Sequence, residues 1–574
     1  MAPERLNNWM DILTQSILIL ASVSVFFLFG YTAYHRLFYP YDLEWMEGGM
    51  LIHAMRVRDG QALYVEPSTD FIPYIYPPLY AWILGFWAKF TSLDYWMGRS
   101  ISICATMATC VATGLILRDA FRRVLPSNII CRGWVFAGVA LFVLGYEDTG
   151  TFYDLLRADM LMMALLSWAL LCVSRKHIRM GGLLLAGAFW AKHNAAIFGL
   201  PCVFWLWATH EDNREGLMMA IRFALWSAIP ALAMVLYTQA STDGYFLQYL
   251  LGVPSSHPIV GSRLFWGSML EMLGSVGWVG ALVYELVGYT LWNRYKQGSS
   301  LVPFVLWAIC GLSILALYNT PTTMLPMLWG NRKHGVVPFA VSIWMLVGLA
   351  TILVILDQYR EKQNLGTVLR DIGSDLWRQV AVVAVLFSAL MRGHHGGFTN
   401  VLIPGVWALS LVWTISVHRF ALQSRGATLF ASCLLCVQIA VGVWNPKQFI
   451  PTQDDKDAGD ALVELLAKEQ GQVFIPHSPW LSVQSGHSPS THLIALWDID
   501  HEGGVLYDDV KRIKQDIASQ RFSMIVSADR KIDFGIQQYY IYQRSVRAEG
   551  NVFLPKIGWK VKPSYVFVPK QMLD

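Results

Sequence analysis

Charge is what this chain has least of. Lys, Arg, Asp and Glu make up 15% of its 574 residues, against about a quarter in a typical soluble domain. Hydrophobic residues make up 55%, and the mean hydropathy is +0.41. This shortage excludes a large soluble enzyme and leaves a polytopic α-helical membrane protein. The formal net charge, +4 from 44 basic and 40 acidic residues, is too small to mark a nucleic-acid partner. Cysteine is also sparse. Cys104, Cys110, Cys131, Cys172, Cys202, Cys310, Cys433 and Cys436 all lie in or beside apolar segments, and the polar tail after Trp444 has none. None has zinc-ligand spacing, which argues against a disulfide framework and a cysteine metal site. Internal repeats and low-complexity linkers are lacking as well. The first apolar run lacks a small-residue cleavage site and is longer than a signal-peptide core, so it is expected to remain as a span.

What is present is a series of apolar windows long enough to cross a bilayer. They fall near 14–36, 95–117, 130–147, 155–174, 180–193, 194–209, 217–239, 268–291, 301–318, 335–356, 379–391, 400–417 and 427–444. The pair at 180–209 reads either as two spans or as one kinked helix, giving about 11–13 helices in all. Arg118, Arg122, Arg123, Arg132, Arg175, Lys176 and Arg179 gather at alternate turns, followed by Arg214, Arg294, Lys296, Arg360, Lys362, Arg419 and Arg425. By the positive-inside rule these turns and the N-terminus are expected to face the cytoplasm. The other turns carry Asp42, Glu44, Glu47, Glu147, Asp148, Asp154 and Asp243 and are expected to face outward. The expected division is a transmembrane domain over 1–445, with its first outer loop at 37–94, and an outer soluble α/β domain over 446–574. In that tail, Asp457–Glu469 and Tyr507–Gln520 read as helices. Gln472–Pro476 and Phe522–Ser527 read as strands, and Asn551–Pro569 as strand-like.

Four outer features carry candidate chemistry. In the first loop, Leu43–Arg58 can form an interfacial helix, with Trp45, Met46, Met50, Ile52 and Met55 supplying apolar surface. Asp42 sits where an N-cap belongs, and Glu44 and Glu47 share a face at i, i+3. By residue type alone these carboxylates are either a helix cap and dipole partners or a catalytic cluster. Arg157 and Asp159 lie in an otherwise apolar stretch, where ionisable groups either pair or face a water-filled cavity. Lys192 and His193 stand at an outer turn that the charge bias would leave uncharged; snorkelling to headgroups is the plain alternative. Arg332, Lys333 and His334 form a basic outer cluster, joined by Arg263, Arg392, His394 and His395, suited to an anionic phosphate or to headgroups. His394 and His395 have no carboxylate at helical spacing, so no metal ligand set is assigned.

The run Asp42-Leu43-Glu44-Trp45-Met46-Glu47-Gly48, with Gly60-Gln61-Ala62-Leu63-Tyr64 and Tyr76-Pro77-Pro78-Leu79-Tyr80, resembles the first outer loop of polyprenyl-phosphate-sugar-dependent glycosyltransferases. These belong to the GT-C superfamily, which includes the protein O-mannosyltransferases and the lipid A aminoarabinose transferase. The branch most similar is family 39, dolichyl-phosphate-mannose-protein-mannosyltransferase-like. Arg157-Ala158-Asp159 and Ala191-Lys192-His193 resemble that branch's shorter segments. So do Pro476-His477-Ser478-Pro479, Ser485-Gly486-His487 and the start of Phe522–Ser527 in its C-terminal domain. Two departures stand out: Leu43 separates Asp42 from Glu44, where the mannosyltransferases have adjacent Asp-Glu, and the lysine segment ends in Lys-His.

The resemblance implies an inverting sugar transfer at the outer membrane face, from a polyprenyl-phosphate-linked donor to an acceptor hydroxyl. Asp42, nearest the span end, is the expected base, with Glu44 and Glu47 orienting the acceptor or tuning it. Lys192, His193, Arg332, Lys333 and His334 are the expected phosphate partners, supported by Arg157 and Asp159. A lipid monophosphate needs no metal bridging two phosphates, so no cofactor is expected. The acceptor is left open among glycolipid, polysaccharide and protein. The alternative is a transporter or flippase of lipid-linked sugars, but the two related halves common in that class are not evident.

Overall fold

Apolar stretches in a membrane become helices because hydrocarbon offers backbone groups no other hydrogen-bond partner. The computed structural model describes residues 8–123, 132–260, 263–264, 268–273, 277–298, 301, 303–305, 307–309, 364–530, 535–546, 548 and 550–570. Among these, six helices are long and apolar enough to cross a membrane: Ile12–Leu37, Tyr95–Arg122, Asn213–Ala240, Leu376–Gly393, Thr399–Ala421 and Arg425–Gln448. Four shorter apolar helices, Arg132–Leu144, Asp159–Ser174, Ile178–Ala191 and His193–Ala208, occupy the expected windows between 130 and 209. The pair at 180–209 is broken at Lys192, whose backbone is extended (φ −155°, ψ 120°) before a 3₁₀ turn at His193–Phe198. Gly277–Lys296 covers most of the window at 268–291. The window at 335–356 and most of that at 301–318 lie outside the described residues.

The Tyr95–Arg122 helix organises the membrane core. Arg99, Ser102, Thr106 and Thr113 recur at helical spacing and are all buried. Ser102 Oγ donates to Leu155 O at 2.5 Å, and Thr106 Oγ1 to Tyr153 O at 2.7 Å. Trp407 Nε1 donates to Thr113 Oγ1 at 2.8 Å, tying in the Ile403–Ala421 helix. The stripe satisfies carbonyls of the non-helical segment before Asp159, which would otherwise carry unpaired polar groups in a buried place.

In the first loop, Glu47–Arg58 is a helix, and every residue from Glu47 to Ala54 is buried. It packs against the Leu79–Trp87 helix and beneath Trp480 of the C-terminal domain. The expected helix began at Leu43; the chain instead bends at 43–46, and Met46 occupies the N-cap without a side-chain bond.

The tail folds as a four-stranded sheet with helices. Its strands are β1 (Val473–Phe474), β2 (Met524–Ser527), β3 (Tyr540–Ser545) and β4 (Tyr565–Pro569), in the order β1-β2-β4-β3. β1 and β2 are parallel, whereas β4 runs antiparallel to both β2 and β3. The first tail helix is Gln453–Leu466, starting before the expected Asp457 because Thr452 and Asp455 form a capping box. The second expected helix is Tyr507–Ala518, which follows the short helices Trp480–Gln484 and Leu493–Ile499. Strand structure in 551–569 is confined to β4. Residues 551–559 instead form a strap back to the first loop: Asp455 accepts from Phe553 N–H and Lys556 Nζ, both at 2.7 Å, and Ile557 N–H donates to Leu43 O at 3.0 Å. β3 escapes sequence reading because five of its six residues are exposed, so it lacks the two-residue alternation of a half-buried strand.

Candidate active site

The first loop is fixed from below by one buried arginine. Arg99, inside the Tyr95–Arg122 helix, donates to Glu47 Oε1 at 3.0 Å and Oε2 at 2.7 Å, and to Arg36 O and Tyr41 O at 3.0 and 2.7 Å. Glu47 also accepts the N–H groups of Leu43 and Leu156 at 2.7 Å each. Burial alone would raise the Glu47 carboxyl, but the Arg99 guanidinium and the Leu156 and Leu43 N–H groups together outweigh it and hold the group below the usual glutamate range. This carboxylate is fully committed to holding the loop.

Glu44 precedes the helix, so it does not share a helical face with Glu47 as the spacing suggested. Its Oε2 accepts from Arg157 Nη1 at 2.7 Å, and Arg157 Nη2 donates to Tyr76 Oη at 3.0 Å. Burial pushes the Glu44 carboxyl up, partly offset by Arg157, to about 7. Asp42 is not the N-cap, yet its Oδ1 accepts from Gly48 N–H at 2.8 Å, inside the first helical turn, and from Tyr95 Oη at 3.0 Å. Burial, then the nearby Glu47 charge, raises Asp42 to about 8. Asp159 Oδ1 accepts from Lys192 Nζ at 2.6 Å and from Asn400 Nδ2 at 2.9 Å. Beside Glu47–Arg99, Glu44–Arg157 and Asp159–Lys192 are therefore two further buried acid–base pairs.

Glu44, Arg157 and Lys192 of these two pairs border one cavity of about 580 Å³. Glu44, Arg157, Lys192, His193 and Asn400 line it, together with Tyr74, Tyr76, Arg263, His394 and His395. Asp42, Glu47 and Asp159 are not among its lining residues. Of the three first-loop carboxylates, Glu44 alone meets this space. Arg332, Lys333 and His334 lie outside the described residues. Arg392, included in the basic outer set, is held bidentately by Glu271 at 2.8 Å on both arms. His257, His394, His395 and His501 pack ring against ring at 4.8–5.8 Å between centroids. Among the described residues, no three His, Cys, Asp or Glu side chains are arranged to hold a metal ion.

Residues 74–318 match the model of glycosyltransferase family 87. That span is under half of the chain, and over it the chain is similar to a glycosyltransferase family. No curated protein matches it. Two solved structures align over 96% of this chain and 97% of theirs. They are ArnT from Cupriavidus metallidurans bound to undecaprenyl phosphate (11% identity, TM-score 0.43) and the same protein in the apo state (13%, 0.40).

The C-terminal tail contributes to the cavity wall. Trp497, Asp498, Gly558 and Trp559 line the same space as Glu44. Gly558 has φ +76°, and a Cβ there would stand 3.1 Å from Glu44 Oε1, so the strap requires glycine where it crosses the carboxylate. His492 Nδ1 accepts from Ile494 N–H at 3.0 Å, leaving Nε2–H to donate to Trp45 O at 2.8 Å. Burial lowers His492 to about 3, so it joins tail to loop as a neutral ring. Sequence reasoning passed over Arg99, although a lone arginine inside the window 95–117 is the signal that should have found it. Tyr76 stands in the sequence only as part of the loop segment Tyr76–Tyr80, and no local pattern marked Asn400, Trp497, Asp498 or Trp559.

Proposed function

We propose that the transferase moves a sugar from a polyprenyl-phosphate donor to an acceptor hydroxyl, with Glu44 as general base. The acceptor oxygen attacks the anomeric carbon as its proton passes to Glu44. The bond from that carbon to the phosphate oxygen breaks, and the lipid monophosphate leaves. Inversion follows from the single displacement. Lys192, His193 and Arg263 receive the charge building on the departing phosphate, and Arg157 keeps Glu44 oriented. The observation that carries this reading is that Glu44 shares one cavity with Arg157, Lys192 and Arg263. Asp42, the base expected from its place near the span end, fits less well: a carboxyl held at about 8 keeps its proton at neutral pH. Glu44, at about 7, is poised to accept one.

The leaving group is a monophosphate served by fixed cations, so the transfer is proposed to need no divalent metal. Dialysis against EDTA should leave the rate unchanged. The site and tail are proposed to face away from the cytoplasm, as the charge bias implies; labelling of single cysteines placed in the tail of intact cells checks this. The decisive test is transfer from a labelled polyprenyl-phosphate hexose by purified Glu44→Gln and Asp42→Asn proteins. Glu44→Gln should lose at least about a hundredfold in kcat, the scale of general-base catalysis. Asp42→Asn, which keeps an oxygen for Gly48 and Tyr95, should lose less than about tenfold. The reverse order would return the base to Asp42.

A further inference from the structure

A second space lies at the far end of the helix that carries Lys192. The helices Ile178–Ala191 and Asn213–Ala240 approach so closely that a Cβ on Gly182 would stand 2.7 Å from Trp226 Cβ. Beside that approach is a cleft of about 730 Å³. Ile178–Ala191 leads from the cleft to Lys192 at the Glu44 cavity, so the two spaces are about 20 Å apart. Lys176, His177, Arg179 and Arg222 line one part of the cleft, and Met180, Leu183, Met219 and Trp226 line the rest. Leu183 follows Arg179 by one helical turn, and Trp226 follows Arg222 by one turn. Charge is therefore gathered at the helix starts, with the apolar wall one turn further in.

Other cations at this end have carboxylate partners: Arg175 meets Asp119 at 2.7 Å, and Arg378 meets Asp375 at 3.0 Å. Among the described residues no carboxylate lines the cleft, and none pairs with Arg179 or Arg222. The Arg179 guanidinium lies 5.7 Å from the Trp226 ring centre, and Arg222 Nη2 meets the weak acceptor Met218 Sδ at 3.5 Å. Lys176 Nζ donates to the neutral Thr209 Oγ1 at 3.1 Å. The apolar wall is open too, since Met180, Leu183 and Trp226 are all exposed. Asn213–Ala240 is a candidate membrane span with most of its apolar window unburied, so the cleft opens toward lipid.

We propose that this cleft binds an anionic phospholipid of the surrounding membrane, with its phosphate between Arg179 and Arg222 and an acyl chain along Leu183 and Trp226. Guanidinium forks match phosphate oxygens, and basic pockets between membrane helices suit such headgroups. A soluble phosphate would leave the apolar wall bare, and a zwitterionic head would bring an ammonium against Lys176. The site is separate from the proposed transfer reaction and does not depend on it.

The test uses full-length protein stripped of native lipid in detergent and titrated with phosphatidylglycerol or phosphatidylcholine, with bound lipid counted by native mass spectrometry. Phosphatidylglycerol should bind at least about tenfold more tightly than phosphatidylcholine. Arg179→Gln/Arg222→Gln should lose about thirtyfold in phosphatidylglycerol affinity, from about fivefold per basic residue. Both arginines are exposed, so the variant should melt near wild type in phosphatidylcholine nanodiscs. Arg123→Gln/Arg214→Gln removes the same charge from the same end outside the cleft and should lose less than about threefold. Inorganic diphosphate, the soluble probe, should not displace the lipid. Unchanged affinity in Arg179→Gln/Arg222→Gln, equal losses in the two double variants, or displacement by inorganic diphosphate overturns the proposal.

Discussion

Replacing Arg157 by methionine should move the pH dependence of transfer upward. Arg157 Nη1 lies 2.7 Å from Glu44 Oε2, and both side chains are nearly inaccessible to solvent. An opposite charge at that distance lowers a carboxyl by about one to three pH units. Without it, burial acts unopposed and Glu44 rises from about 7 to about 8 or higher. As the base, Glu44 must be ionised, so the rate climbs with pH through its pKa and levels off above it. At pH 7 about half of the wild-type carboxyl is ionised; a rise of one unit leaves about a tenth, a loss of about fivefold. Two units would cost about fiftyfold. Assays of kcat/KM with a labelled polyprenyl-phosphate hexose from pH 5.5 to 9.5 should show the rising limb displaced and most of the rate recovered at the alkaline end. Breaking a buried pair also costs about 3–5 kcal/mol of stability, so melting is recorded at each pH. The double variant Glu44→Gln/Arg157→Met separates the effects: it should melt above Arg157→Met alone and remain inactive. A rising limb left at the wild-type pH in a folded Arg157→Met protein would refute Glu44 as the base.

Three other outcomes follow from the same contacts. Lys192→Ala leaves Asp159 buried with only Asn400 as partner, and should destabilise the protein by about 3–5 kcal/mol; thermal melting in detergent measures it, and Asp159→Asn/Lys192→Ala should recover part of the loss. Gly48→Ala would set a Cβ 2.8 Å from Trp480 Cβ and 3.1 Å from Asp42 Oδ1. It should cost about 1–3 kcal/mol by overpacking and expose the tail to limited proteolysis. Asp42 is raised from 3.8 to about 8, so the fold binds its proton more tightly than the unfolded chain does. Its favourable contribution is complete below the ordinary pKa and is lost as pH rises through about 8. Asparagine imitates the protonated form, so Asp42→Asn should melt near wild type at pH 6 and above it at pH 9.

Membrane class and most span positions were legible because they depend on local composition. An apolar stretch of sufficient length has one stable solution in hydrocarbon, and the first loop's acidic run between such stretches stood out against it. Lys192 and Arg157 were visible for the same reason, as charges where solvation is poor. The division of labour among Asp42, Glu44 and Glu47 was not legible. Residue type makes the three carboxylates nearly equivalent, and their distinction comes from partners far away in sequence: Tyr95, Arg157 and Arg99.

The sequence by itself therefore determined that this is a membrane chain with a polar first loop, basic residues at scattered turns and a small α/β tail. The tertiary structure alone decided that Arg99 holds Glu47 in the framework, that Glu44 faces the cavity, and that the tail supplies Gly558, Trp559 and Asp498 to its wall. The physical reason is range. Helix formation and membrane partition follow from neighbours within a few turns, whereas a carboxyl's proton affinity and a cavity's lining follow from groups brought together across hundreds of residues.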